Sequence, residues 1–107
     1  MDLTQYEIIL VNLDPTIGSE IKKTRPCVIV SPNEMNKYLK TIVIAPITSS
    51  LKDYPTRLFF KSDSISGNIA IDQIRTIDRI RIINKLGKLT QNSILELKLL
   101  FKETYVD

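Results

Sequence analysis

Two short stretches of this 107-residue sequence gather reactive side chains beside the ends of predicted strands: Gly18-Ser19-Glu20-Ile21-Lys22-Lys23-Thr24-Arg25-Pro26 and Pro46-Ile47-Thr48-Ser49-Ser50. An arginine at the base of a strand, with its backbone held by the proline that follows, is placed more rigidly than one at a loop tip. Its planar five-donor fork suits a phosphate. Arg25 has that setting; the plainer reading is a surface arginine, paired for instance with Glu20. Thr48 and the serines after it offer hydroxyls directly behind a proline, although such residues commonly bond nearby backbone groups in turns. Glu20 could serve as a base, against the ordinary role of a solvated loop glutamate. Cys27 lies inside an apolar strand and reads as a buried structural thiol rather than a nucleophile.

Composition narrows the chemistry. The chain has no histidine, which excludes every histidine-based dyad or triad. Its single cysteine excludes an intrachain disulfide and leaves little for a Cys/His zinc site. Neither a P-loop nor a dinucleotide glycine pattern occurs, so neither cofactor nor metal is expected. Charge is unevenly spread about a net +3: residues 1–20 carry four acids and no base, residues 21–61 eight bases against two acids, and residues 71–90 five bases against two. If the two basic stretches share a face, they form an electrostatic footprint for phosphates; otherwise they are a solvated basic surface. No apolar run nears the roughly 20 residues of a membrane span, and the N-terminus lacks a basic signal-peptide region. A cytoplasmic protein without membrane contact is expected.

The elements that must position these residues follow from hydrophobic pattern. Residues 6–13 and 26–31 are rich in β-branched residues and read as strands, each stopped by a proline-containing pair. Residues 14–24 form a long loop, and residues 33–40 a connector with one helical turn near its start. A third strand over 41–45 ends at Pro46, a polar loop covers 49–55, and a fourth strand covers 56–60. The run 69–77 breaks strict alternation, which predicts a bulge near Asp72-Gln73. A short last strand covers 81–86. From Thr90, an acceptable N-cap, Ile94, Leu97, Phe101 and Tyr105 recur at helical spacing, with Leu95, Leu99 and Leu100 widening the stripe. One domain over residues 1–107 is expected: mainly β with a C-terminal α-helix, as a small, strongly bent antiparallel barrel.

Residues 13–36, L-D-P-T-I-G-S-E-I-K-K-T-R-P-C-V-I-V-S-P-N-E-M-N, closely resemble the MazF/PemK family of toxin endoribonucleases. A-P-I-T-S-S (45–50), Y-P (54–55) and I-D-Q-I-R-T-I-D (71–78) match the family's later blocks in order, so the resemblance spans roughly residues 6–105. It implies an SH3-like plasmid-maintenance-toxin barrel, a symmetric homodimer, and metal-independent cleavage of single-stranded RNA at a short preferred sequence. The family's essential arginine falls on Arg25, its essential threonine on Thr48, its loop glutamate on Glu20 and its substrate-contacting glutamine on Gln73. It also implies a cognate antitoxin that blocks the RNA groove. The chain departs from the family at Tyr6-Glu7, where Gly-Asp is usual, and lacks an extra glycine before Arg25-Pro26.

The residues agree with that chemistry. RNA can be cut by its own 2′-hydroxyl attacking the adjacent phosphorus, leaving a 2′,3′-cyclic phosphate and a 5′-hydroxyl. The protein must align the attack and neutralise charge growing on the phosphoryl oxygens. Arg25 suits the second task and Thr48 can fix a phosphate oxygen, while the base stays open between Glu20 and water. Lys22, Lys23 and Arg79 are candidates to track phosphates and Gln73 to read a base edge. Ser19, Ser49 and Asp72 complete the candidate substrate-binding set. Two rival readings use the same barrel: a non-catalytic toxin that binds a topoisomerase, and a co-regulator that binds operator DNA only with its antitoxin.

Overall fold

The computed structural model describes residues 2–13, 24–49 and 54–107. Within them seven strands form one sheet: β1 (Glu7–Asn12), β2 (Thr24–Ile29), β3 (Thr41–Thr48), β4 (Arg57–Lys61), β5 (Ser66–Ala70), β6 (Arg75–Asp78) and β7 (Ile82–Lys88). Their order is β4-β5-β3-β2-β1-β7, with β6 lying beside β3, and each pairing is antiparallel. Helix α1 (Asn33–Tyr38) links β2 to β3, and α2 (Gln91–Phe101) follows β7.

The first three strands are apolar at nearly every position because both faces of the sheet are covered. One core cluster joins Ile8, Val28, Ala45, Ile47, Phe60, Ile69, Ile71, Leu89 and Leu97, and α2 packs on it through Ile94, Leu97, Leu100 and Phe101. The other face buries Leu3, Ile9, Val11, Cys27, Ile29, Ile42, Ile44 and Ile77. Burying each larger aliphatic side chain contributes roughly 1.5–3 kcal/mol, so the sheet is clamped from both sides.

Several boundaries differ from the sequence reading. Strand β3 does not end at Pro46 but runs on to Thr48. On one edge it pairs β2; on the other it pairs β6 over residues 41–44 and β5 at Ile47 and Thr48. Pro46 sits where that second edge passes from β6 to β5, a gap in the ladder that tolerates a residue without an N–H. The run 69–77 is not one bulged strand. A 3-10 turn, Ile71–Gln73, divides it into β5 and β6, and both lie on the same edge of β3.

Helix α1 is longer than the single turn expected. It is anchored by a buried polar knot: Ser31 Oγ donates to Asn36 Oδ1 (2.5 Å), Asn36 Nδ2 donates to the Ser31 carbonyl (2.9 Å), and the Val43 N–H donates to Ser31 Oγ (3.1 Å). Helix α2 begins as expected, with Thr90 Oγ1 accepting the Ser93 N–H (3.1 Å). Leu95 and Leu99 do not widen its buried stripe; they are 59% and 62% exposed. The chain then widens into a π-helical turn, Lys102–Val106, from which the Tyr105 hydroxyl donates to the Ile71 carbonyl at 2.5 Å. No helix among the described residues is long and apolar enough to cross a membrane.

Candidate active site

The register of the central strands decides what Arg25 can meet. Cys27 pairs with Pro46 and Val28 with Ala45; carried two residues further, the same register sets Arg25 opposite Thr48. Alternation places Arg25 on the face of Cys27 and Ile29, and Thr48 on the face of Ile42 and Ile44, which is one and the same face. Both residues line a cleft of about 610 Å³ together with Tyr54, Pro55, Thr56, Arg57, Asp72 and Gln73. Arg25 is exposed, whereas Thr48 is 9% exposed, so a solvent-facing cation shares the cleft with a buried hydroxyl-bearing residue.

Thr48 is fixed by its neighbour on β5. Gly67 lies so close that an added Cβ would stand 2.7 Å from the Thr48 carbonyl oxygen and 2.8 Å from Ile47 Cγ2. The 3-10 turn brings in the other wall. Asp72 accepts from Arg57 Nε (3.0 Å) and Nη2 (3.3 Å) and from Thr56 Oγ1 (3.0 Å). Those contacts, the Arg57 hydrogen bonds first, hold the Asp72 carboxyl below its ordinary pKa although partial burial opposes them. The Arg57 side chain is only 7% exposed, and its guanidinium stacks 4.9 Å from the Tyr54 ring centroid.

Of the residues expected at the site, Arg25, Thr48, Asp72 and Gln73 are thus gathered around one cleft. Ser49 follows Thr48 on the exposed surface. Ser19, Glu20, Lys22 and Lys23 lie outside the described residues, as does the loop expected over 14–24 except Thr24. Arg79 is not brought to this cleft. Its Nη1 donates to the carbonyls of Asn36 and Leu39, the latter at 3.2 Å, and it lines a separate hollow with Asp2, Asn33 and Lys37. A guanidinium bonded to the last carbonyls of α1 holds that helix end, apart from the cleft that gathers Arg25 and Thr48.

Sequence reasoning did not single out Tyr54, Thr56 and Arg57, which line the cleft. The signal was present: Arg57, like Arg25, stands at the base of a strand with a proline close by, Pro55 before it where Pro26 follows Arg25. Arg75 lies on β6 opposite Ile44, and with Arg25 it exerts a coulombic pull on the Cys27 thiol. Burial overrides that pull and pushes the thiol up to about 12, so Cys27 is a packed core group, as its strand setting suggested.

Residues 4–104 match the family model described as PemK-like, MazF-like toxin of type II toxin-antitoxin system. The chain is 34% identical over 97 residues to endoribonuclease MazF of Staphylococcus epidermidis, covering 84% of this chain and 80% of that protein. It is 40% identical over 82 residues to endoribonuclease PemK of Escherichia coli, covering 72% of this chain and 62% of that protein. In fold it is similar to a mycobacterial endoribonuclease solved in complex with its cognate antitoxin, with a TM-score of 0.81 at 18% identity over 94% of this chain and 92% of that one. With a match that runs nearly end to end, this chain belongs to the PemK-like, MazF-like toxins of type II toxin–antitoxin systems.

Proposed function

We propose that the cleft holding Arg25 and Thr48 cuts single-stranded RNA by internal transesterification, without a metal ion. The chain is an endoribonuclease toxin, in keeping with the two relatives named as endoribonucleases and with its family. In the proposed step the substrate's 2′-oxygen forms a bond to the adjacent phosphorus while the bond to the 5′-oxygen breaks. The products are a 2′,3′-cyclic phosphate and a 5′-hydroxyl. Charge grows on the non-bridging oxygens in the transition state, and Arg25 neutralises it from an exposed position at the strand base. The Thr48 hydroxyl holds one phosphoryl oxygen in place for in-line attack. The proton leaving the 2′-hydroxyl passes to Glu20 or water, and the departing 5′-oxygen regains one. Gln73 faces the cleft from the 3-10 turn and reads a base edge, while Asp72 beside it shapes the substrate wall through Arg57; Ser19, Ser49, Lys22 and Lys23 are the further substrate contacts of this reading.

The observation that carries this reading is the β2–β3 register, which sets a guanidinium opposite a threonine at the mouth of one cleft. Single strands are the fitting substrate because their base edges are open to readout, and DNA lacks the attacking hydroxyl. We extend the reading to a homodimer that shares its basic groove between subunits, and to a cognate antitoxin that covers the groove and brings the pair to operator DNA. The mycobacterial structure with its cognate antitoxin supports that partner.

The test is incubation of purified protein with long single-stranded RNA in EDTA, followed by mapping of the ends. Metal-free cutting with cyclic-phosphate and 5′-hydroxyl ends is the expected result. Arg25→Ala and Thr48→Ala should each lower the rate on the order of 100-fold or more, the usual cost of one preorganised donor. Uncut RNA together with topoisomerase inhibition would move the chain to the non-catalytic reading.

A further inference from the structure

Aromatic side chains make up only 7% of the sequence, yet one of them stands in the cleft. Tyr54 is 43% exposed and lines the same space as Arg25, Thr48 and Gln73. Its ring is backed by the Arg57 guanidinium, 4.9 Å from the centroid. That cation cannot swing away, because Asp72 grips its Nε and Nη2 and its side chain is almost fully buried. Asp72 in turn is held by Thr56 Oγ1, and the turn that carries it is tied at Ile71, whose N–H donates to the Thr56 carbonyl (3.3 Å) and whose carbonyl accepts the Tyr105 hydroxyl. A half-exposed ring on a locked cationic support is what a stacking surface requires: the support fixes the ring's plane, and the open area receives a flat partner.

We infer that Tyr54, supported by Arg57 and Asp72, is a stacking platform for one nucleobase of the bound single strand. The inference rests on the RNA-cutting reading for its ligand class, and it adds a second kind of contact to it. Stacking is tolerant of base identity because every base offers a π-face, so the platform sets the register of the strand while Gln73 reads an edge. Tyr54 is the contact residue; Arg57 and Asp72 are positioning residues that act through it.

The test uses short all-deoxy single strands of mixed sequence, which lack the attacking hydroxyl and cannot be cut. Each carries one 2-aminopurine, walked along the strand, whose fluorescence falls when it stacks. The wild type should quench the probe most at one register, and Tyr54→Phe should keep that quench. Tyr54→Ala should abolish it and weaken binding on the order of tenfold, the usual worth of one stacked base. Arg57→Gln should reduce the quench with Tyr54 still present, a spectroscopic change that loss of overall charge would not produce. Equal quenching by wild type and Tyr54→Ala, or no quenching by the wild type, overturns the platform. The wild type is assayed in parallel on all-ribose strands: quenching without cutting sinks the nuclease reading alone, and cutting without a Tyr54-dependent quench sinks the platform alone.

Discussion

Burial of Cys27 against Pro46 and the second core cluster determines what its thiol can do. An exposed thiol ionises near 9, whereas this one is pushed up to about 12 by burial. The unfolded chain therefore releases the proton first, and this group's contribution to stability declines as pH rises from about 9 toward about 12. At neutral pH an alkylating reagent should modify Cys27 only after urea unfolding; stoichiometric labelling of the folded protein would contradict the burial. Asp72 runs the opposite way. Its pKa is lowered in the folded state, so its contribution is full at neutral pH and is lost as pH falls below the ordinary carboxylate value toward the folded one. Asp72→Asn should cost about 1 kcal/mol at neutral pH for an ion pair partly open to solvent, and the gap from wild type in urea midpoints should close on acidification. Tyr6 shows what was visible but not interpretable at this scale. The sequence departs there from the glycine usual in the family; only the structure shows that the position holds a left-handed φ of 73°, kept by backbone hydrogen bonds to Ile29 and Leu89.

Strand β3 carries the site because three strands converge on it, and one of them, β5, approaches closely at Gly67. Replacing Gly67 with alanine would drive a methyl group into the Thr48 carbonyl and the Ile47 side chain. The expected cost is about 1–3 kcal/mol of stability, with a fall in cutting rate at temperatures where the variant is still fully folded. Gly87 supplies the contrast: its φ of +153° strains any other residue, but nothing lies within 4 Å of an added Cβ. Gly87→Ala should lower the melting temperature and leave the rate of the folded enzyme intact; if both variants lose rate equally, Thr48 is not held by β5. The strands were legible as elements because apolar, β-branched runs between prolines leave few alternatives. Their ends were not, since a proline stops a strand only when its missing N–H is needed, and at Pro46 it is not. The 3-10 turn was readable only as a break in alternation at Asp72-Gln73; the sequence does not show that β5 and β6 return to one edge of β3.

Across the whole molecule the basic residues divide into separate groups, which the charge count could not reveal. Arg25 and Arg75 both act on the Cys27 thiol, Arg57 is paired with Asp72 in the cleft wall, and Arg79 donates to the carbonyls at the end of α1. Long-range pairs such as Arg57 with Asp72, or Arg79 with Asn36, leave no mark in local spacing, so a phosphate role reads equally well from sequence for Arg79 and for the lysines. A salt titration separates them. Each phosphate contact on a single strand contributes about 0.7 to the slope of log affinity against log salt. Binding of an uncuttable single strand by Lys22→Ala/Lys23→Ala should therefore show a slope shallower by about 1.4 if both lysines meet phosphates. Arg79→Ala should leave that slope unchanged and instead lower stability by about 1–3 kcal/mol, because carbonyls that the guanidinium satisfies lose their donor. A shallower slope in Arg79→Ala, with its urea midpoint unmoved, would return that arginine to the RNA path and place the hollow beside α1 on the substrate's route.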